Sequence, residues 1–286
     1  MLSFAERFTT LAEARSPLCL GLDPSADMFR AWGLADNAEG LRRFCATVLE
    51  AADDRLAVIK PQSGFFERFG PVGMAELARA SAQIRAQGAL SLIDCKRGDV
   101  IGTMRGYAGG FLGADAGFAC DAITVTAYLG FDALRPVFGR AAETGGAAFV
   151  VVHSSNPEGR ALQTARHADG RTVSEALADE ITGFNAGVGA AIGPVGAVVG
   201  ATLDASDTAL LDRLPRSLIL APGVGDQGAC LADVGARFVV TRGRTLPSAS
   251  RAILRHGPTL AGLREAIDRY RDDAWRALEV APSGDA

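Results

Sequence analysis

The chain is expected to fold as a single (β/α)8 TIM barrel of the α/β class. Three observations predict it. Short apolar, β-branched runs alternate with longer helical stretches from end to end; there are eight such runs; and no shift in composition divides them into separate domains. A length of 286 residues suits one domain of this kind, since such barrels need about 250 residues before insertions.

The candidate strands are residues 18–22, 56–59, 90–93, 122–125, 147–152, 195–200, 217–220 and 237–241. They are continuously apolar instead of alternating, which marks strands covered on both faces, as in a parallel sheet. Ahead of the first strand, residues 1–15 read as an amphipathic helix whose Glu6 and Glu13 do not suit a secretory leader. Helical patterns then occupy residues 38–52, 74–87, 133–144, 173–191, 205–211 and 227–234. The stretch 156–193 is longer than a crossover helix needs and reads as an insertion on the barrel. Residues 260–278 form a charged amphipathic helix that ends the 1–286 domain, with a frayed tail at 280–286.

Composition excludes several function classes. A net charge of −4 and a pI near 5.5 argue against nucleic acid, whose phosphates need a basic face. No apolar run approaches the roughly 20 residues that span a bilayer, so no membrane role is expected. The five cysteines (Cys19, Cys45, Cys95, Cys120 and Cys230) form no C-x-x-C pair, and several lie in apolar runs. That fits reduced, buried thiols in a cytoplasmic protein. His153, His167 and His256 lack ligand-like spacing, so no metal site is expected.

In a barrel of this type, residues at the carboxyl ends of the strands face the active site. Those ends carry Asp23, Lys60, the run Asp94-Cys95-Lys96-Arg97-Gly98-Asp99, Thr126, Ser154 to Pro157, and Ala221 to Gly228. Lys60 and Lys96 are the only lysines, against 27 arginines. A chain that uses arginine for ordinary surface charge keeps lysine where a compact ammonium with a movable proton is needed. The bland alternative, two leftover surface lysines, fits poorly with positions directly after apolar strands. Asp94 and Lys96 are two residues apart, so on an extended strand end both point to one side. Lys60 arrives from the neighbouring strand. Alternating ammonium and carboxylate groups hold each other charged, and fixed charges stabilise developing charge without reorganising. A plain strand-end salt bridge is the structural alternative.

The run Gly223-x-Gly225-x-x-Gly228 formally matches a dinucleotide fingerprint, but that motif belongs to the first βα turn of a Rossmann unit. After a seventh barrel strand, a glycine-rich loop more naturally cradles a phosphate through its N–H groups. Arg242, Arg244 and Arg251 are candidates to complete that site. Arg97-Gly98-Asp99 spells a cell-adhesion tripeptide, a coincidence in a cytoplasmic chain.

With Gly21-Leu22-Asp23-Pro24-Ser25, Val58-Ile59-Lys60-Pro61-Gln62, Asp94-x-Lys96-x-x-Asp99, Ser155 and Pro222-Gly223-Val224-Gly225-Asp226-Gln227-Gly228 in place, the chain resembles the orotidine 5'-phosphate decarboxylase family. Within it, the chain looks like the longer bacterial, type 2 branch, from Phe4 to about Leu254. The Asp-x-Lys-x-x-Asp motif alone is shared with sugar-phosphate enzymes of the same suprafamily; the other segments make the likeness specific. The resemblance implies a decarboxylation of orotidine 5'-phosphate to uridine 5'-phosphate without metal or organic cofactor, the closing step of de novo pyrimidine synthesis.

The resemblance also implies roles for residues. Asp23 and Lys60 would hold the ribose hydroxyls, and Lys60, Asp94, Lys96 and Asp99 would form the charged catalytic array. Asp94 would sit against the substrate carboxylate, and Lys96 would protonate C6. Asp99 and Thr103 would reach into the partner's site of a homodimer. Ser155 would bond the pyrimidine, Pro222 would lie against the substrate, and Gln227 would bridge base and phosphate. Gly228 with Arg251 would bind the phosphate, Arg251 fitting the family pattern better than Arg242 or Arg244. Thr126-Ala127 stands where Asn-Pro would be expected, and Val100 where isoleucine is usual. Two rivals remain: a hexulose-phosphate synthase or keto-gulonate-phosphate decarboxylase on the same barrel, and a non-catalytic nucleotide sensor. The first group is shorter, typically metal-assisted, and lacks the combination of Lys60 and Gln227; the intact array speaks against the second.

Overall fold

Eight parallel strands pair in chain order, and the last returns to the first to close the barrel. They are β1 (Cys19–Leu22), β2 (Val58–Pro61), β3 (Leu90–Arg97), β4 (Ala122–Val125), β5 (Ala147–His153), β6 (Val195–Val199), β7 (Ile219–Val224) and β8 (Thr245–Ala249). This is a computed structural model that describes residues 1–279; the expected tail at 280–286 lies outside the described residues.

Helices α1 (Phe4–Ala14), α2 (Ala26–Ala31), α3 (Ala38–Ala52), α4 (Ser63–Glu67), α5 (Gly70–Ala86) and α6 (Ile101–Phe111) surround the first half. The second half adds α7 (Arg135–Thr144), α8 (Arg160–Gln163), α9 (Val173–Val188), α10 (Leu231–Arg237), α11 (Arg251–Leu254) and α12 (Leu260–Leu278). The expected helices at 38–52 and 260–278 are found at those boundaries. Both start at polar caps: Asn37 accepts from the Gly40 N–H, and Thr259 from the Gly262 N–H. By contrast α6 was not foreseen. It holds Gly102, Gly106, Gly109 and Gly110, and so lacks the propensity that marks a helix.

The eighth strand is a correction. Residues 237–241 do not form it: Arg237 ends α10, and Val239–Thr241 make a 3-10 turn with Val239 and Val240 half exposed. The strand is Thr245–Ala249, paired with β7 and, through Ser248 and Ala249, with β1. Its Pro247 and small polar residues hide it, whereas the β-branched run before it imitates a strand. Barrel closure overrides local propensity here. In the stretch 156–193, α9 is the crossover helix that packs on β5 and β6. The added segment ahead of it holds a 3-10 turn, α8 and a bridge between Arg166 and Thr172.

Alternation along the strands separates two cores. Leu20, Ile59, Ile93, Ile123 and Ile219 face outward into the layer under the helices. Val58, Leu90, Leu92, Ala122, Phe149, Leu218, Leu220 and Leu246 face inward and fill the barrel. Beneath them α1 closes the floor. Its start is fixed by a capping box between Ser3 and Glu6, and Phe4 and Phe8 are fully buried, Phe4 standing edge-on to Phe149 at 5.9 Å.

Candidate active site

The inward parity that fills the barrel becomes polar at the carboxyl end of the strands. Following Cys19 on β1 come Gly21 and Asp23; following Val58 on β2 come Lys60 and Gln62; following Leu92 on β3 comes Asp94; following Ala122 on β4 comes Thr124. On the far side Leu220 is followed by Pro222, and Leu246 by Ser248 and Ser250. These groups line one cavity of about 260 Å³. That volume, at the small end of ligand sites, suits one small molecule and not a dinucleotide.

Asp94 is the hub. Its Oδ2 accepts from Lys60 Nζ at 3.1 Å, and its Oδ1 accepts from Lys96 Nζ at 2.6 Å and from Thr124 Oγ1 at 2.8 Å. Gln62 Nε2 donates to the Asp94 carbonyl at 3.2 Å. Burial opposes the Asp94 charge, but Lys60 and Lys96 outweigh it and hold the carboxyl well below the usual range. Burial likewise opposes the Lys60 ammonium, yet Asp94 and Asp23 keep its pKa above the ordinary value. Asp23 goes the other way. Burial raises its pKa despite Lys60, and its Oδ1 is buried without a hydrogen-bond partner. An acceptor in that state is ready for an incoming hydroxyl. Nearby, burial pushes the thiols of Cys19 and Cys95 up to about 12, which leaves both unreactive.

Lys96 and Asp94 meet, but not through an extended strand end. Lys96 has φ 43°, a left-handed conformation unusual for a lysine, and the pairing of β3 with β4 slips between Ile93 and Arg97. The two side chains therefore converge across a kink.

The opposite wall is the loop after β7. Gly223, Gly225 and Gly228 all have positive φ, and a Cβ on Gly225 would lie 2.4 Å from that of Ala252. Pro222, Gln227, Arg251 and Ser155 line the cavity with this loop. Arg251 follows β8 directly, and its Nε lies 3.3 Å from Asp226, whose other oxygen pairs with Arg255. Arg242 instead pairs with Glu279, and Arg244 donates to the carbonyls of Leu214 and Ser217, both away from the cavity.

Three of the expected site residues do not line this cavity. Gly228 donates to the Gly225 carbonyl on the far side of the loop. Asp99 accepts from the Val100 N–H, and Thr103 is exposed on α6. Sequence reasoning missed Gln62, Thr124, Ser248 and Ser250 as lining residues. The signal for the first two was present, since each sits two or four residues beyond an inward apolar position. Among the described residues, no three His, Cys, Asp or Glu side chains gather as a metal-ligand set.

A family model described as Orotidine 5'-phosphate decarboxylase / HUMPS family matches residues 16–266. The orotidine 5'-phosphate decarboxylase of Myxococcus xanthus is 49% identical over 268 residues, covering 93% of each chain. That of Streptomyces coelicolor is 45% identical over 97% of this chain and 99% of its own. Among solved structures, a Streptomyces avermitilis protein provisionally given the same name superposes with a TM-score of 0.93 at 43% identity, over 98% of this chain and 97% of that one. Leishmania donovani OMP decarboxylase superposes at 0.80 with 30% identity, over 97% and 100%.

Proposed function

The chain belongs to the orotidine 5'-phosphate decarboxylase / HUMPS family, and from that membership and its site we infer that it converts orotidine 5'-phosphate to uridine 5'-phosphate and CO2, in pyrimidine biosynthesis. It is a carboxy-lyase. The observation that carries the mechanism is the Lys60–Asp94–Lys96 array at one end of a cavity whose other end is a glycine loop with Arg251.

Breaking the bond between C6 and the carboxylate leaves an electron pair in the plane of the pyrimidine ring, where the π system cannot take it up. Stabilisation has to come from fixed charge. The Lys96 ammonium faces that pair and then gives C6 a proton; the resulting amine is reprotonated from solvent. Asp94 holds Lys96 from one oxygen and Lys60 from the other, so the ammonium is in place before reaction. Asp23, with its unpartnered Oδ1, and Lys60 take the ribose hydroxyls. Ser155 bonds the pyrimidine, Pro222 packs beside it, and Gln227 spans base and phosphate. The phosphate sits against Arg251 and the loop that includes Gly228, and its binding energy aligns the distant array.

The enzyme acts as a homodimer in which Asp99 and Thr103 complete the neighbouring site. Two features support this. Both residues lie outside their own cavity, and the segment that carries them exposes Val100 and Ile101, while the turn after β4 exposes Tyr128 and Leu129. A cytoplasmic location is supported by five unpaired cysteines. No helix among the described residues is long and apolar enough to cross a membrane.

The test is the change in ultraviolet absorbance when purified protein meets orotidine 5'-phosphate in excess EDTA. Full turnover is expected, because the chemistry runs on side-chain charges without a metal. Activity that EDTA abolishes and Mg²⁺ restores, or turnover of a hexulose phosphate alone, would overturn the reading. In the same assay Lys96→Ala should lose at least ~10³-fold in kcat. Lys96→Arg should fail nearly as badly, since a guanidinium is larger and a poor acid.

A further inference from the structure

We propose that Thr124 is the positioning residue that sets the reacting geometry of Lys96. Thr124 is fully buried on β4 and faces the cavity. Its Oγ1 accepts the backbone N–H of Lys96 at 2.9 Å, and its own proton goes to Asp94 Oδ1 at 2.8 Å. A hydroxyl has one proton to give, so accepting from the lysine backbone leaves that proton for the carboxylate. The same Oδ1 holds Lys96 Nζ at 2.6 Å. One hydroxyl therefore closes a ring that runs from the Lys96 backbone through Thr124 and Asp94 to the Lys96 ammonium.

The ring has something to hold. Lys96 is at φ 43°, where a side-chain-bearing residue is strained, and such conformations persist only where the surroundings over-determine them. The slip in pairing between β3 and β4 removes the regular ladder from this segment. In its place stands the Thr124 hydroxyl. Without it the Lys96 backbone can relax towards the extended region, and the ammonium shifts with it. A displacement of about 1 Å at a reacting group is enough to cost roughly 10²-fold in rate. The inference rests on Lys96 being the proton donor to C6.

Thr124→Val keeps the side-chain shape and removes both hydrogen bonds; Thr124→Ser keeps the hydroxyl. With two lysines in the chain, selective ¹⁵N-lysine labelling resolves two backbone amides, and that of Lys60 serves as the internal control. In Thr124→Val, kcat should fall by roughly 10²-fold while KM stays within about 3-fold. The Lys96 amide should exchange faster with solvent while the Lys60 amide is unchanged, and Thr124→Ser should recover both rate and protection. Should Thr124→Val not fold, Thr124→Ala removes the same hydroxyl and is read in the same way. An unchanged Lys96 amide in the hydroxyl-free variant, or a rate loss that serine does not recover, overturns the proposal. An active Lys96→Ala enzyme would instead sink the proton-donor role beneath it. An inactive Lys96→Ala beside a fully active Thr124→Val sinks the positioning role alone.

Discussion

Two aspartates that both feel the charge of Lys60 are driven in opposite directions, and stability should record it. The carboxyl of Asp94 is held low by Lys60 and Lys96, so its contribution is present above its unfolded pKa of about 4 and is lost as pH falls further. Asp23 is raised by burial, so the folded protein favours its protonated form and loses stability as pH rises from about 4 through the folded value. Asp23→Asn removes the charge but keeps an acceptor, and should raise Tm at pH 7 by about 2–4 °C for each ~1 kcal/mol relieved. The gain should shrink as pH falls towards about 4, and KM for orotidine 5'-phosphate should rise. Thermal melts at several pH values with matched kinetics check this. A lower Tm at every pH would mean that Asp23 is structural.

At the scale of elements, the position of β8 decides which arginine reaches the cavity. With the strand at Thr245–Ala249, Arg251 follows it directly and enters the cavity, while Arg242 and Arg244 precede it at the other end of the barrel. Arg251→Ala should raise KM by about 10–100-fold, the scale of losing a charge-assisted hydrogen bond, and should also lower kcat. Arg242→Ala should leave both unchanged. Arg244→Ala should leave kinetics unchanged but lower Tm, because the carbonyls of Leu214 and Ser217 lose their donor. Steady-state kinetics on the three variants separates these outcomes, and a kinetic defect in Arg242→Ala or Arg244→Ala would shift the phosphate site.

The same strand shows what could be read without coordinates. Seven strands announced themselves as apolar runs because they are covered on both faces, and polar residues at their ends located Asp23, Lys60, Asp94, Lys96, Ser155 and Gln227. β8 did not, because Pro247 and two small polar residues, Thr245 and Ser248, break its apolar signature; only closure against β7 and β1 identifies it. Thr124 went unnoticed for a related reason. Inside a four-residue apolar strand a threonine reads as a β-former, and its hydroxyl gains meaning only when β3 kinks towards it.

For the whole molecule, a shared site makes a prediction that neither subunit makes alone. Lys96→Ala and Asp99→Ala homodimers should each be nearly inactive. In a hybrid dimer one site collects both lesions and the other receives an intact Lys96 and an intact Asp99. Unfolding and refolding an equal mixture should therefore recover roughly a quarter of wild-type activity, as an isologous two-fold interface requires. No recovery, with wild type refolding normally, would place Asp99 in its own subunit's site.

The helix that closes the barrel floor adds a constraint of a different kind, on the order in which the molecule is made. Synthesis runs from the amino terminus, so α1 leaves the ribosome ahead of every strand, yet the groups it meets include Phe149 and Trp275, which come much later. Until β8 has been made, Phe4 and Phe8 have no finished socket. A segment made ahead of all eight strands is thus among the last that can dock, and the nascent chain must keep a small apolar face waiting while the barrel is translated.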